Sequence, residues 1–333
     1  MTDLKISICI PTYNGSETLD ETLASILRQY DPRVEIVFCD DGSKDRTLEL
    51  LHSYASKYSF IRIFKNEENL GMDRNFRQVA LHAASPLIWF SGQDDLFENG
   101  AISKVLAISE KNPELGLIYL NYSQYNHDMS QAIDRSVLAT EFLDPSLLDE
   151  TKDYYFATAG DYFKVLNAAP SFLPATIVRK EFWLDTNVDA YIGTVFVQMA
   201  LILLNMNRRP ICVVGQPLIR GRVPINRWQS NGNAYFSVML GSLKAETMVF
   251  RDPRNPLPAS ILNQRKSRFL KDFFALVRES KLKGYRPTPE HLESLKYIYG
   301  NGFLYRFFLR PLLVMPSELT VGAHRFYKKL SGK

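Results

Sequence analysis

Through its first hundred residues the chain alternates short apolar runs with amphipathic stretches, the pattern of a parallel sheet covered by helices. Ile6, Ile8 and Ile10 alternate with Ser7 and Cys9, and the run stops at Pro11. Leu19, Leu23, Ile26, Leu27 and Tyr30 then recur at helical spacing. Ser16 stands as the N-cap, with Glu17, Asp20 and Glu21 in the first turn, where carboxylates favour the helix dipole. Apolar runs at 35–39, 60–64 and 87–90 predict three more strands, and Leu48, Leu51, Ala55, Tyr58 and Phe76, Val79, Ala80, Ala83 mark the helices between them. Polar clusters follow three of the strands, at 11–14, 40–43 and 91–95. Open α/β sheets bind ligands at that edge.

The pattern then loosens. A helix is predicted over 102–110 and strands at 117–120 and 175–178, while weak periodicity over 129–155 predicts a long loop. The apolar run 193–206 contains Gln198 and is too short to cross a membrane. Beyond about 235 the signals are helical, then basic and aromatic, ending in Phe303, Leu304, Tyr305, Arg306, Phe307, Phe308, Leu309 and Arg310.

Composition adds three constraints. With 333 residues and 46% apolar content the chain can bury a large core. A formal charge of only +4 argues against a general nucleic-acid binder, so no nucleic-acid partner is expected. After about residue 260, however, basic residues such as Arg265, Lys266, Arg268, Lys271 and Lys329 outnumber Asp272, Glu279, Glu290, Glu293 and Glu318. This tail either docks on an anionic membrane or packs on the body of the protein or on a second subunit. Cys9, Cys39 and Cys212 lie in apolar runs without metal or redox spacing, and the N-terminus lacks a leader pattern. The expected location is the cytoplasm, with membrane contact through the tail.

The candidate chemistry lies in the polar clusters. Adjacent acids Asp94 and Asp95 at a strand end offer hard oxygen ligands for magnesium or manganese. Asp40 and Asp41, at a neighbouring strand end, suit a base or ribose. Taken alone, either pair serves equally well as a helix cap or a solvated turn. Together, Pro11-Thr12-Tyr13-Asn14, Asp40-Asp41-Gly42-Ser43, Asn69-Leu70-Gly71 with Arg74-Asn75, and Asp94-Asp95 form an ordered set. That set resembles family 2 glycosyltransferases of the GT-A fold.

The resemblance implies a mostly parallel central sheet with flanking helices. It further implies a glycosyltransferase domain over 1–235, with a nucleotide-binding half (1–100) and an acceptor half (101–235), then a helical region over 236–333. Its substrates would be a nucleotide diphosphate-sugar donor and a saccharide acceptor, lipid-linked in bacterial surface polysaccharide assembly, with a divalent metal. By position, Pro11, Thr12, Tyr13, Asn14, Asp40 and Asp41 would face the base or ribose, and Arg74 the diphosphate. Asp94 would hold the ribose or support the metal, and Asp95 would ligate it directly. In the commonest form of the motif a further acid precedes this pair by two positions; here that position is Gly92. The second half faintly resembles abequosyltransferase-like members that use dideoxysugar donors.

An inverting transferase needs a carboxylate to take the acceptor's proton. The family's base position falls on Thr194, which cannot serve, leaving Asp189 and Asp161 as candidates and helix capping as the alternative for Asp189. Arg220, Arg222, Arg227 and Trp228 are expected on a loop that either closes over the donor or stays solvated. Tyr122 and Tyr125 line either an acceptor site or the core, and the five histidines lack ligand spacing. Two rival functions share these features: a nucleotidyltransferase and a non-catalytic sugar-nucleotide or glycan-binding protein.

Overall fold

The protein is described here from a computed structural model, which covers residues 3–223 and 231–320. Its strands are β1 (Ile6–Thr12), β2 (Val34–Asp40), β3 (Ile61–Lys65), β4 (Leu87–Phe90), β5 (Leu96–Phe97), β6 (Leu117–Tyr125), β7 (Ala132–Asp134), β8 (Asp153–Phe156), β9 (Thr176–Arg179) and β10 (Ile211–Arg222). Eight helices accompany them: α1 (Leu19–Leu27), α2 (Thr47–Ala55), α3 (Met72–His82), α4 (Ala101–Lys111), α5 (Leu138–Glu141), α6 (Ala159–Val165), α7 (Lys180–Asp185) and α8 (Val197–Asn205). A further four lie toward the C-terminus: α9 (Gly232–Arg251), α10 (Ala259–Leu282), α11 (Pro289–Tyr299) and α12 (Arg310–Val314).

One sheet runs in the order β3-β2-β1-β4-β9-β6-β10-β5, with β7 added to β6 and β8 to β10. β1 to β4 are mutually parallel, as are β6 and β10, whereas β9 runs antiparallel to both β4 and β6. This is the mostly parallel sheet with flanking helices that the motif resemblance implies. β2 and β4 are buried along their whole length and β1 at all but Pro11, which is why they read as near-continuous apolar runs. The ladder to β2 also passes the proline: β1 reaches Thr12, whose carbonyl accepts from Asp41 N at 2.9 Å.

Three sequence expectations need correction. Ser16 does not cap α1, which begins at Leu19; its N and Oγ instead donate to Asp45 Oδ2 at 3.1 and 2.7 Å. The 129–155 segment is not one long loop, since β7, α5 and β8 fall within it or overlap its end. These pieces are short, and their connections turn on Asp144 and Asp149, which accept from Ser146 N and Thr151 N at 3.0 Å each. No apolar period is therefore visible there. Lastly, Arg220 and Arg222 belong to β10 rather than to a loop.

The chain forms two compact units, Met1–Val223 with Arg254–Leu257, and Pro224–Pro253 with Pro258–Lys333. The expected boundary at 235 thus lies inside α9, which belongs to the second unit. Within the first unit, all nine residues of α8 are buried, so its apolar run is core. The second unit is the expected helical region. Phe236, Leu240, Phe273, Val277, Leu295, Leu309 and Leu313 from its helices share a core. Among the described residues, no helix is long and apolar enough to cross a membrane.

Candidate active site

The polar clusters meet along the edge where β1, β2 and β4 end, and much of their hydrogen bonding builds the edge itself. Asp40 is fully buried and accepts from Gly42 N at 3.1 Å and Ser43 N at 3.0 Å, with Ser43 Oγ donating to its other oxygen. Asn14, at φ +49°, donates its amide to Ser43 Oγ at 2.9 Å and accepts from Lys44 N at 2.8 Å. The loops after β1 and β2 are knitted together in this way. Asp41 accepts from Asn66 Nδ2 and Leu70 N at 2.8 Å each and from Gly71 N at 2.9 Å, so it also shapes the loop after β3. Of about four acceptor positions on a carboxylate, roughly one remains for a ligand. Thr12 is buried, whereas Tyr13 is 46% exposed beside them and offers a free aromatic face.

Next to this lies the acid pair. Gln93 Oε1 accepts from Tyr13 N at 2.9 Å and Gln93 Nε2 donates to Tyr13 O at 3.1 Å, locking the loop after β4 to the loop after β1. A side chain at Gly15 would collide with Gln93, so that contact needs the glycine. Asp95 is buried, and its Oδ1 accepts from Arg222 N at 3.0 Å. A Cβ on Gly92 would collide with Asp95 Oδ2 and stand 2.9 Å from Asp94 Oδ1. Both carboxylates therefore converge over the bare glycine, and the place of the extra family acid is taken. Burial, and then the charge of Asp94, push the Asp95 carboxyl well above its usual range.

Arg222 is a fastener rather than a free cation. Its Nε donates to Asp94 O at 2.8 Å, its two terminal nitrogens donate to His127 O and to Glu21, and its side chain is only 4% exposed. Arg220 is bonded to Glu98, with Nη2 to Oε2 at 2.9 Å, and lies over the Tyr125 ring at 5.2 Å. Tyr122 is buried and stacks on Phe172 at 4.1 Å, in the core. Arg227 and Trp228 lie outside the described residues.

The stretch expected to hold the base packs on α3. Asp73, buried in the first turn of α3, accepts from Gly193 N at 2.7 Å and Val195 N at 3.0 Å. Gly193 and Val195 both have positive φ, +89° and +69°. For a β-branched residue that is a strained conformation. Thr194 Oγ1 donates to Tyr191 O at 2.7 Å and accepts from Phe196 N at 3.2 Å, so it serves the turn. Asp189 is exposed, accepts from Arg77 Nη1 at 2.7 Å, and shares with Arg74, Gln78 and Ile192 a recess of about 530 Å³. That is within the size range of small-molecule sites, roughly 300–1,000 Å³. Asp161 is elsewhere. It sits in the first turn of α6, bonded to Thr158 Oγ1 at 2.8 Å and Lys164 Nζ at 2.9 Å, and both contacts hold its carboxyl below the usual range. α6 follows β8, which pairs Phe156 with Ile211 at the start of β10, so Asp161 belongs to the opposite edge of the sheet.

Residues 7–167 match the model of glycosyl transferase family 2. The chain is 28% identical over 239 residues, 69% of its length and 70% of the relative's, to the abequosyltransferase RfbV of Salmonella typhimurium. These matches support a family 2 glycosyltransferase. A cholesterol galactosyltransferase of Borreliella burgdorferi is 37% identical over 94 residues, 28% of this chain and 26% of its own. In fold, the transferase is similar to S. aureus TarS 1-349 in complex with UDP (TM-score 0.61, 15% identity, covering 99% of this chain and 92% of that one). It is also similar to the mannosyltransferase PcManGT of Pyrobaculum calidifontis in complex with GDP-Man and Mn2+ (TM-score 0.59, 14% identity, 98% and 88%). The matches support sugar-transfer activity and favour it over the nucleotidyltransferase and the non-catalytic binder.

The transferase's acid pair fits a divalent cation. Two carboxylates meet over Gly92, and the buried one is held above its usual range until a cation offsets its charge. Among the described residues no cluster of three or more acidic, histidine or cysteine ligands occurs, so the donor's phosphates and water would complete the shell. Sequence reasoning missed Gln93, Arg222 and Asp73 as organisers of the transferase's site. Gln93 and Asp73 stood beside the chosen motif residues, but the contacts that reveal their roles span 80 and 120 positions.

Proposed function

We propose that this transferase moves a single sugar from a nucleotide diphosphate-sugar to a saccharide acceptor carried on lipid, in the assembly of a bacterial surface polysaccharide. The observation that carries the reading is the convergence of Asp94 and Asp95 over Gly92, beside the exposed Tyr13 and the loop built by Asp40 and Asp41. In this reading Tyr13 stacks on the base, while Thr12 and the remaining acceptor position of Asp41 serve base or ribose. Asp95 ligates manganese or magnesium with support from Asp94, and Arg74 meets the diphosphate. The metal supplies charge neutralisation of the departing diphosphate. Asp189, oriented by Arg77 and sharing a recess with Arg74, takes the proton of the acceptor hydroxyl. The similarity to an abequosyltransferase supports a surface-glycan role and a deoxysugar among the candidate donors.

A thermal-shift screen of UDP-, GDP-, TDP- and CDP-sugars, each with and without manganese, tests the reading, because a ligand bound only by the folded state raises the melting point. One nucleotide class should raise it with manganese and not with EDTA. A screen in which every donor leaves the melting point unchanged, or shifts it equally in EDTA, refutes the reading.

A further inference from the structure

The second unit ends its described part on a helical stretch with two unlike faces. Tyr305 to Leu309 form a π turn that runs into α12. Tyr305, Leu309 and Leu313 are buried in the unit's core. On the outside, Phe303, Phe307 and Phe308 are 69%, 63% and 57% exposed, and Phe303 lies 4.8 Å from Phe307 and 5.7 Å from Phe308 between ring centroids. The wider π turn, closing residue i on i+5, puts both Phe307 and Phe308 within reach of Phe303. Arg306 and Arg310 are exposed on the same stretch, with Val314 and Leu319 exposed beyond them. One exposed phenylalanine is ordinary, but Phe303 in ring contact with both Phe307 and Phe308 forms an exposed apolar patch of the kind that marks an interaction site.

We propose that this face docks on an anionic lipid surface, with Phe303, Phe307 and Phe308 entering the boundary between headgroups and acyl chains and Arg306 and Arg310 meeting lipid phosphates. Charge selects this occupant. A second copy joined by two-fold symmetry would set the same patch against itself, arginines included. The chain's own last residues carry Arg325, Lys328, Lys329 and Lys333, the same sign as the patch. Lipid phosphate carries the opposite sign, and aromatic rings beside arginine suit a membrane interface.

Part of the basic excess seen in the sequence is already engaged within the unit. Arg265 pairs with the buried Glu246 at 2.7 Å, Arg278 pairs with Glu279, and Lys281 donates to Leu312 O and Thr320 Oγ1 at 3.0 and 2.9 Å. On the patch itself the charge is that of Arg306 and Arg310, so the phenylalanines must supply a substantial part of the binding. The inference is compatible with a lipid-linked acceptor but does not rest on it, since docking needs neither donor nor acceptor.

The test is flotation of the full chain, without sugar nucleotide, on phosphatidylcholine vesicles with and without phosphatidylglycerol. The protein should rise with the anionic vesicles at low salt, less at high salt, and not with phosphatidylcholine alone. Replacing Phe303, Phe307 and Phe308 together by Ser should cut the bound fraction about tenfold or more, with the melting point unchanged. A wild type that stays down, equal binding to both vesicle types, or a triple variant that floats like the wild type overturns the proposal. A Phe307→Trp variant gives a second reading that does not depend on the triple variant folding. Its added emission should move to the blue only when anionic vesicles are present. A blue emission without vesicles means that the patch is already covered, by this chain or by a second copy, and also overturns the proposal.

Discussion

Asp95 is tied to Arg222 through its Oδ1, which accepts from the Arg222 amide at 3.0 Å, and Arg222 Nε donates to the carbonyl of the adjacent Asp94 at 2.8 Å. The end of β10 thereby fixes both members of the acid pair, and Arg222 extends the grip to His127 and Glu21. Substituting Arg222 by Ala should lower manganese affinity by about 10- to 100-fold, as loss of a group supporting metal ligands does. It should also cost about 3 kcal/mol of stability, because buried acceptors lose a charged donor. Calorimetric titration with manganese and thermal melting check the two effects. Retained affinity in a folded variant would mean that the acid pair is set by its own loop.

The acid pair and Gly92 make a second prediction. Asp95→Asn preserves the acceptor for Arg222 N and removes a buried charge, so the variant should melt no lower than the wild type. Its transfer activity should nevertheless fall by about two orders of magnitude or more, since removing a ligand costs at least as much as removing its support. Gly92→Asp, which adds the acid found at this position in the commonest form of the motif, should not strengthen manganese binding, because its Cβ collides with Asp95. Tighter manganese binding by Gly92→Asp would show that the pair relaxes to admit a third carboxylate.

Asp73 offers a test through pH. Burial pushes its carboxyl above the ordinary range, against the opposing effect of the amides it accepts from, and its Oδ1 has no partner. Ionising it therefore costs more in the fold than in the unfolded chain. The wild type should lose stability as pH rises from about 3.9, the unfolded value, through the raised folded value, and then level off. Asp73→Asn keeps an oxygen for Gly193 and Val195 but carries no charge. The melting point of the variant minus that of the wild type should thus climb over this window, and a flat difference would contradict the burial argument. In parallel, Val195→Gly should stabilise by about 1 kcal/mol by removing the strain at positive φ, measured by urea melts.

The first hundred residues were legible because β1, β2 and β4 are buried on both faces and the site residues sit on the loops that end those strands. Local pattern and function coincide there. The second half was less legible for two physical reasons. Its edge pieces, β7, α5 and β8, are too short for a period and are turned by Asp144 and Asp149. Its active-site stretch is organised from outside, by Asp73 and Arg77 on α3, through contacts spanning 120 and 112 positions. A basic tail was plain in the sequence, but which of its charges are engaged, as in Arg265 with Glu246, appears only on folding.

Asp189, nearer the expected base position, and Asp161 were both candidates for the base in sequence, and their surroundings give them different prospects. Asp189 is exposed in a recess with Arg74, whereas Asp161 sits in the first turn of α6 at the opposite edge of the sheet, its carboxyl held down by Lys164 and Thr158. Asp189→Asn should reduce turnover by about 10²- to 10⁴-fold with the donor-induced thermal shift unchanged, because only proton transfer in the transition state is lost. Arg77→Ala should fall between that variant and the wild type, since it frees the carboxylate without removing it. Asp161→Asn should leave turnover intact and lower the melting point only slightly, through the lost exposed ion pair with Lys164. The comparison requires a transfer assay with the donor identified by thermal shift. If Asp161→Asn is the inactive variant, the base lies at the other edge. If Asp189→Asn keeps full turnover, Asp189 is not the base, and a product of retained configuration would then remove the need for one.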